Sequence, residues 1–207
     1  VSIIRFKWNY KEENMSKLNE KLFLHTCCAP CAEWPIFLLS GEGFQTTLFF
    51  YNPNIHPKFE WDRRLQTLHK LGDIKGVPVI SDTAFEQEKW TNEKWIKKYE
   101  SRCEMCYDLR MSNTAREAKE RGFDSFSTTL LVSIYQNHDA IIEAANRASQ
   151  RFSIPFHYVD FRDGFRKGQQ MAREDGLYRQ KYCGCICSLD ESEYKEKIYA
   201  GFPGSPG

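Results

Sequence analysis

Leu22-Phe23-Leu24-His25-Thr26-Cys27-Cys28-Ala29-Pro30-Cys31 packs an apolar run, a cysteine-rich turn and the start of a helix into ten residues. Leu22 to His25 reads as a short buried strand. Two adjacent cysteines and a third three residues after the second then put three soft sulfur ligands within one turn. Pro30 restricts the backbone there and removes one amide donor. Cys31 to Leu39 reads as a helix closed by Gly41. Two further cysteine groups lie far down the chain, Cys103-Glu104-Met105-Cys106 and Cys183-Gly184-Cys185. All three groups are expected to meet at one metal centre.

Working outward, Thr46 to Tyr51 is β-branched and aromatic and reads as a second strand, ended by the turn residues Asn52-Pro53-Asn54. Pro57 suits the first turn of a helix carrying Trp61, Leu65 and Leu68 at helical spacing. Val77-Pro78-Val79-Ile80 is a third strand, and Ser81 or Asp82 is placed to cap a helix over 84–99. Tyr107, Met111, Ala115 and Ala118 mark one face of a helix that runs on from Cys103 and stops at Gly122. Phe123 to Thr129 reads as a fourth strand. Ile141, Ala145 and Ala148 mark a helix ending near Phe152, and Ile154 to Val159 a fifth strand. Residues 1–20 read as a lead-in, helical over Lys11–Glu20, residues 21–190 as one α/β metal-binding domain and 191–207 as a tail.

Strands alternating with helices point to a mostly parallel sheet flanked by helices. In such a sheet the ligand site lies beyond the carboxyl ends of the strands. The cysteine turn, Asn52-Pro53-Asn54 and Thr128-Thr129 all fall at that edge. At 207 residues the chain suffices for one buried core. No apolar run nears the ~18 residues of a membrane span, and the polar, mixed-charge start reads as neither signal nor transit peptide, so a cytoplasmic protein is expected. Eight cysteines in a reducing compartment then favour metal or redox chemistry over disulfides. The net charge is +1, so a nucleic-acid partner requires a local basic face.

Thiolates suit zinc, copper(I) and iron–sulfur clusters. Cys28/Cys31 with Cys103/Cys106 make a zinc set, but that leaves Cys27, Cys183 and Cys185 without a task. A cluster takes up to four thiolates, so seven can serve a cluster and a second ion. Metal-free dithiol chemistry remains a third reading.

The stretches Leu24 to Cys31, Phe49 to Ile55, Arg102 to Cys106, Ser127 to Leu130 and Gly176 to Cys185, with Asn9-Tyr10, resemble the QueH family, the cobalamin-independent epoxyqueuosine reductases. The resemblance runs from about residue 9 to 190. It implies a single Rossmann-like (HUP-type) domain whose cysteine-rich C-terminal segment closes the metal site. It also implies an oxidoreductase that removes the epoxide oxygen of epoxyqueuosine at the wobble position of tRNA, giving queuosine. The implied cofactors are a 4Fe-4S cluster and an additional mononuclear iron, held among Cys27, Cys28, Cys31, Cys103, Cys106, Cys183 and Cys185. Cys187 departs from the family pattern and is read as an idle thiol, with a substitute ligand as the alternative. An electron donor is required and is not identified by sequence.

Proton donors are sought in Tyr182 and His25, and a base pocket in Tyr51, Asn52, Asn54, Thr128, Thr129 and Arg179. Arg162 to Lys181 carries six Lys or Arg against three acids. It makes Arg166, Lys167, Arg173 and Arg179 tRNA contacts, with Arg63, Arg64 and Arg110 as weaker ones. Two rivals stand beside this reading. An ATP-using tRNA-modifying enzyme would show a glycine-rich phosphate loop after the first strand, where this chain has cysteines. A zinc-stabilised RNA-binding module of tRNA processing would have no redox activity.

Overall fold

The computed structural model describes residues 19–86 and 88–200. The lead-in, with its expected helix and Asn9-Tyr10, lies outside the described residues except for Asn19 and Glu20, which are not helical. In chain order the elements are β1 (Lys21–His25), α1 (Ala29–Gly41), β2 (Gln45–Phe50), α2 (Lys58–Lys75), β3 (Val79–Ser81), α3 (Glu88–Thr91), α4 (Glu93–Ile96) and α5 (Arg102–Glu120). There follow β4 (Ser125–Thr128), a 3-10 turn at Thr129–Val132, α6 (His138–Phe152), a 3-10 turn at Arg162–Gly164, α7 (Phe165–Glu174), α8 (Ile186–Asp190) and α9 (Lys195–Ala200).

The four strands are parallel in the order β3-β2-β1-β4. β1 is internal and covered on both faces, which is why it reads as an unbroken apolar run rather than an alternating one. Leu22, Phe23 and Leu24 are fully buried, each contributing about 1.5–3 kcal/mol of burial. His25 is level with Phe49 of β2 and Thr128 of β4. The loops after three strands therefore leave the sheet at one height.

α5 buries Tyr107, Met111, Ala115 and Ala118 as its spacing predicts, and α6 buries Ile141, Ala144, Ala145 and Ala148 against it. Gly122 takes a φ of +73°, which a side chain resists, and ends α5 where expected. α1 begins at Ala29 rather than Cys31, because a helix accepts Pro30 in its first turn. α7 lies on α1 through two glycines. A Cβ at Gly164 would fall 1.9 Å from the Trp34 ring, and one at Gly168 3.2 Å from the Pro30 carbonyl oxygen.

Two expected elements differ. Residues 84–99 are not one helix. Asp82 turns the chain by accepting the Ala84 N–H at 2.9 Å, and Asn92 accepts the Lys94 N–H at 2.9 Å, starting a separate turn. Asn and Asp side chains compete with helical backbone in this way, and of α3 and α4 only Trp90 is buried to hold a longer element. The fifth strand reduces to one parallel bridge, Phe126 to Phe156. β4 is four residues long and turns at once into a 3-10 helix, with Thr128 Oγ1 accepting the Leu130 N–H at 3.1 Å. Pro155 also lacks a ladder donor. No helix among the described residues is long and apolar enough to cross a membrane.

Candidate metal centre

The first sulfur group is shaped by local geometry. Cys27 leaves the end of β1, Cys28 is the extended N-cap of α1, and Cys31 sits in its first turn. Their Sγ atoms all lie within 4.8 Å of one another, with Cys27 and Cys28 3.7 Å apart. Thr129, arriving at the end of β4, accepts the Cys27 N–H at 3.3 Å and donates its hydroxyl to Cys27 Sγ at 3.6 Å. Gln180 donates to Cys28 Sγ at 2.8 Å and reaches Cys31 Sγ at 3.9 Å. Hydrogen bonds from Cys28 and Cys31 hold the Cys27 thiol well below its ordinary range. Burial pushes Cys28 up, and donation to Cys27 pushes Cys31 up. The three sulfurs thus pull one another's protonation in opposite directions, Cys27 favouring the thiolate and Cys28 and Cys31 the thiol.

The second group is assembled from distant segments. Cys103 and Cys106 occupy the first turn of α5, whose N-cap Ser101 accepts the Glu104 N–H at 3.1 Å. Cys183 and Cys185 approach from the C-terminal segment. Together with Cys187, Asn54 and Arg110 they line one cleft of about 420 Å³. Cys106 is buried and pushed up to about 12, while Cys103 is raised by burial and then by Cys183 and Cys185. Gln136 donates to Cys183 Sγ at 3.3 Å, and the Ser188 N–H lies 3.4 Å from Cys185 Sγ.

Arg64 of α2 holds that segment in place. Its guanidinium is buried against Glu60 at 2.7 Å and donates to the carbonyls of Cys183 at 2.8 Å and Tyr182 at 3.1 Å. Tyr178 donates to the other Glu60 oxygen at 2.8 Å, and the Gly184 carbonyl accepts the His56 N–H at 2.7 Å. Gly184, at φ +135°, leaves only 3.0 Å between an added Cβ and Arg64 Nη1. Both groups lie within reach of the Arg110 charge, which acts on Cys106, Cys183 and Cys27. Gln180 touches Cys28, and Cys183 follows three residues later, at most ~11 Å of extended chain.

Several residues singled out from sequence take other parts. Arg64 and Arg110 are buried, so neither is a surface tRNA contact; Arg63 stays exposed, its guanidinium 3.6 Å from the Tyr178 ring. His25 is buried, and burial lowers its pKa to about 3. Its Nε2–H donates to the Tyr51 carbonyl at 3.1 Å and its Nδ1 accepts from the Thr128 hydroxyl at 2.9 Å, so the ring is neutral and fully engaged. Tyr182 spends its hydroxyl on the His56 carbonyl, and burial raises its pKa. Neither presents a free proton to the cleft.

Asn52 donates to the Thr26 carbonyl at 2.9 Å, which braces the cysteine turn. Asn54 lines the cleft with its buried Oδ1 unpartnered. Tyr51 is half-buried, its hydroxyl raised to about 12 by burial, and Arg179 is partly buried. Arg166, Lys167 and Arg173 are exposed on α7. Gln180, Gln136 and the inward role of Arg110 escaped the sequence reading. The signal for Arg110 was its spacing, four residues after Cys106 on the same helix face.

The sulfurs of the trio are close and supplied with hydrogen-bond donors, and so suit a soft metal. These features define an α/β protein with a parallel sheet that gathers three sulfurs at its carboxyl edge, an arrangement suited to a metal. A family model described as epoxyqueuosine reductase QueH matches residues 22–191. A relative of that name from Dehalococcoides mccartyi is 31% identical over 186 residues, 90% of this chain and 98% of the relative. Another from Thermotoga maritima is 34% identical, covering 84% and 93%. The chain belongs to the epoxyqueuosine reductase QueH family. A solved structure titled as a predicted subunit of tRNA methyltransferase from Methanocaldococcus jannaschii superposes with a TM-score of 0.50 at 10% identity over 75% of each chain. That likeness concerns the fold alone.

Proposed function

We propose that this chain is the oxidoreductase that converts epoxyqueuosine to queuosine in tRNA, using an iron–sulfur centre held by Cys27, Cys28, Cys31, Cys103, Cys106, Cys183 and Cys185. The sulfur trio carries the reading, since three Sγ atoms within 4.8 Å of one another are spaced as ligands to one metal are. Removing the epoxide oxygen takes two electrons and two protons and releases water, leaving a carbon–carbon double bond. A 4Fe-4S cluster and a mononuclear iron held by these cysteines would supply the electrons and a Lewis acid for the epoxide oxygen.

The protein's own residues set the stage for that chemistry. Gln180 and Thr129 orient the trio through hydrogen bonds to sulfur. His25 and Tyr182 hold the cysteine turn and the C-terminal segment, and protons enter from solvent through the cleft. Asn54, Tyr51, Asn52, Thr128, Thr129 and Arg179 belong to the rim on which the modified base is received. Residues 21–190 act as the reductase domain in the cytoplasm, and an external donor supplies reducing equivalents. Arg166, Lys167 and Arg173 meet the tRNA phosphates.

Anaerobic purification with iron and sulfide analysis, followed by reduction of epoxyqueuosine-bearing tRNA with a chemical reductant, tests the whole reading. A brown protein with turnover is expected; a colourless zinc protein without turnover sinks it. Charge reversal at Arg166 and Lys167 is expected to weaken tRNA binding and flatten its salt dependence. Unchanged affinity and salt slope remove this face from the reading.

A further inference from the structure

Among the described residues two arginines are buried almost completely, Arg64 at 1% and Arg110 at 2% exposure. Arg64 is fully served, with a carboxylate and two carbonyls around it. Arg110 is not. Its Nε–H donates to the Cys106 carbonyl at 3.2 Å, its Nη2 has no partner, and among the described residues no carboxylate pairs with it. Burying a cation without a counter-charge is among the costliest arrangements a fold can hold, so something anionic is expected opposite it.

What Arg110 does face is sulfur. It lines the cleft with Cys103, Cys106, Cys183 and Cys185. Its charge acts on Cys106 and Cys183 and, across the rim, on Cys27 of the trio. Its place on α5, one turn beyond Cys106, sets it in the cleft wall. A guanidinium remains charged in any protein environment, so this is a fixed positive charge rather than a switch.

We infer that Arg110 is the counter-cation of the sulfur centre, a positioning residue shared by both thiol groups that makes electron uptake easier. This rests on the iron–sulfur reading above. An electron added beside a fixed positive charge in a poorly screened site is stabilised, and the unpartnered Nη2 is the donor left to meet it.

The test uses the full chain, anaerobically loaded, as wild type, Arg110→Gln and Arg110→Lys. Iron and sulfide per chain are measured first, then the midpoint potential by redox titration with optical and paramagnetic-resonance detection. The Gln variant is expected to shift the reduced-to-oxidised ratio at a fixed potential at least tenfold toward the oxidised form, which is 59 mV for a one-electron couple. The Lys variant, keeping the charge, is expected to recover most of that shift. A Gln variant with wild-type iron and an unchanged potential overturns the inference, as does a Lys variant indistinguishable from Gln. If the Gln variant folds by circular dichroism but takes up no iron, loading of the Lys variant decides: recovery supports the counter-cation, and an empty Lys variant removes it. Wild-type protein without iron would instead sink the cofactor reading itself, so the two failures are distinct.

Discussion

The trio at Cys27, Cys28 and Cys31 and the thiols of the cleft are built by different physics. Five residues of continuous chain make the first: a strand end, an extended N-cap and one helical turn leave the sulfurs little choice of position. The second needs α5, the segment 182–185 and a buried ion pair on α2 to coincide. The trio is therefore local and preorganised, whereas the cleft is only as good as the tertiary contacts that close it.

The largest effect expected from that contrast comes from the rigid half. Cys28→Ser should bring iron per chain to background and abolish epoxide reduction, with the fold intact by circular dichroism. Retained iron at the wild-type level would place the essential ligands elsewhere. Next comes Arg64→Ala, which leaves Glu60 buried and unpaired and should cost about 3–5 kcal/mol in denaturant unfolding. In the metal-free protein it should also speed alkylation of Cys183 and Cys185, read by mass spectrometry, while Cys28 keeps its wild-type rate. Equal acceleration at all sites would mean the halves are not independent.

Gln180→Leu removes a side chain that ties the C-terminal segment to Cys28 and Cys31. A drop of roughly 10–100-fold in metal affinity or activity is expected, as for the loss of a partner that orients metal ligands. Iron competition with a chelator measures it, and an unchanged affinity would make the contact incidental. Smallest of all is Cys187→Ser. This thiol lines the cleft but is partly exposed and carries no hydrogen bond to the other sulfurs among the described residues. Stability should stay within about 0.5 kcal/mol and iron content should not change; loss of iron would promote Cys187 to a ligand.

Legibility from sequence follows the same division. The central strand, the cysteine turn, α5 and α6 were readable because their signals are periodic and local: an unbroken apolar run, a three-residue cysteine spacing, and faces marked every three to four residues. The segment over 84–99 misled because Asp82 and Asn92 divert the backbone within a stretch that buries only Trp90. The fifth strand misled because β-forming residues beside Pro155 found a partner at Phe126 and none beyond it.

Arg64 and Arg110 misled most instructively. In a linear reading a basic residue on a helix belongs to the surface, and only the packed structure shows these two turned inward, one satisfied by Glu60 and one facing sulfur. His25 was similarly ambiguous until both ring nitrogens were found engaged.

From the linear chain alone came the parallel α/β class, the rim at which its loops gather, the seven thiols and the family to which they belong. Spacing and apolar periodicity act over a few residues, and those are properties a chain carries before it folds. Which arginine is buried, and which glutamine touches which sulfur, were decided only when remote segments packed. Desolvation and hydrogen bonding depend on neighbours that lie a hundred or more residues away, and no local pattern encodes them.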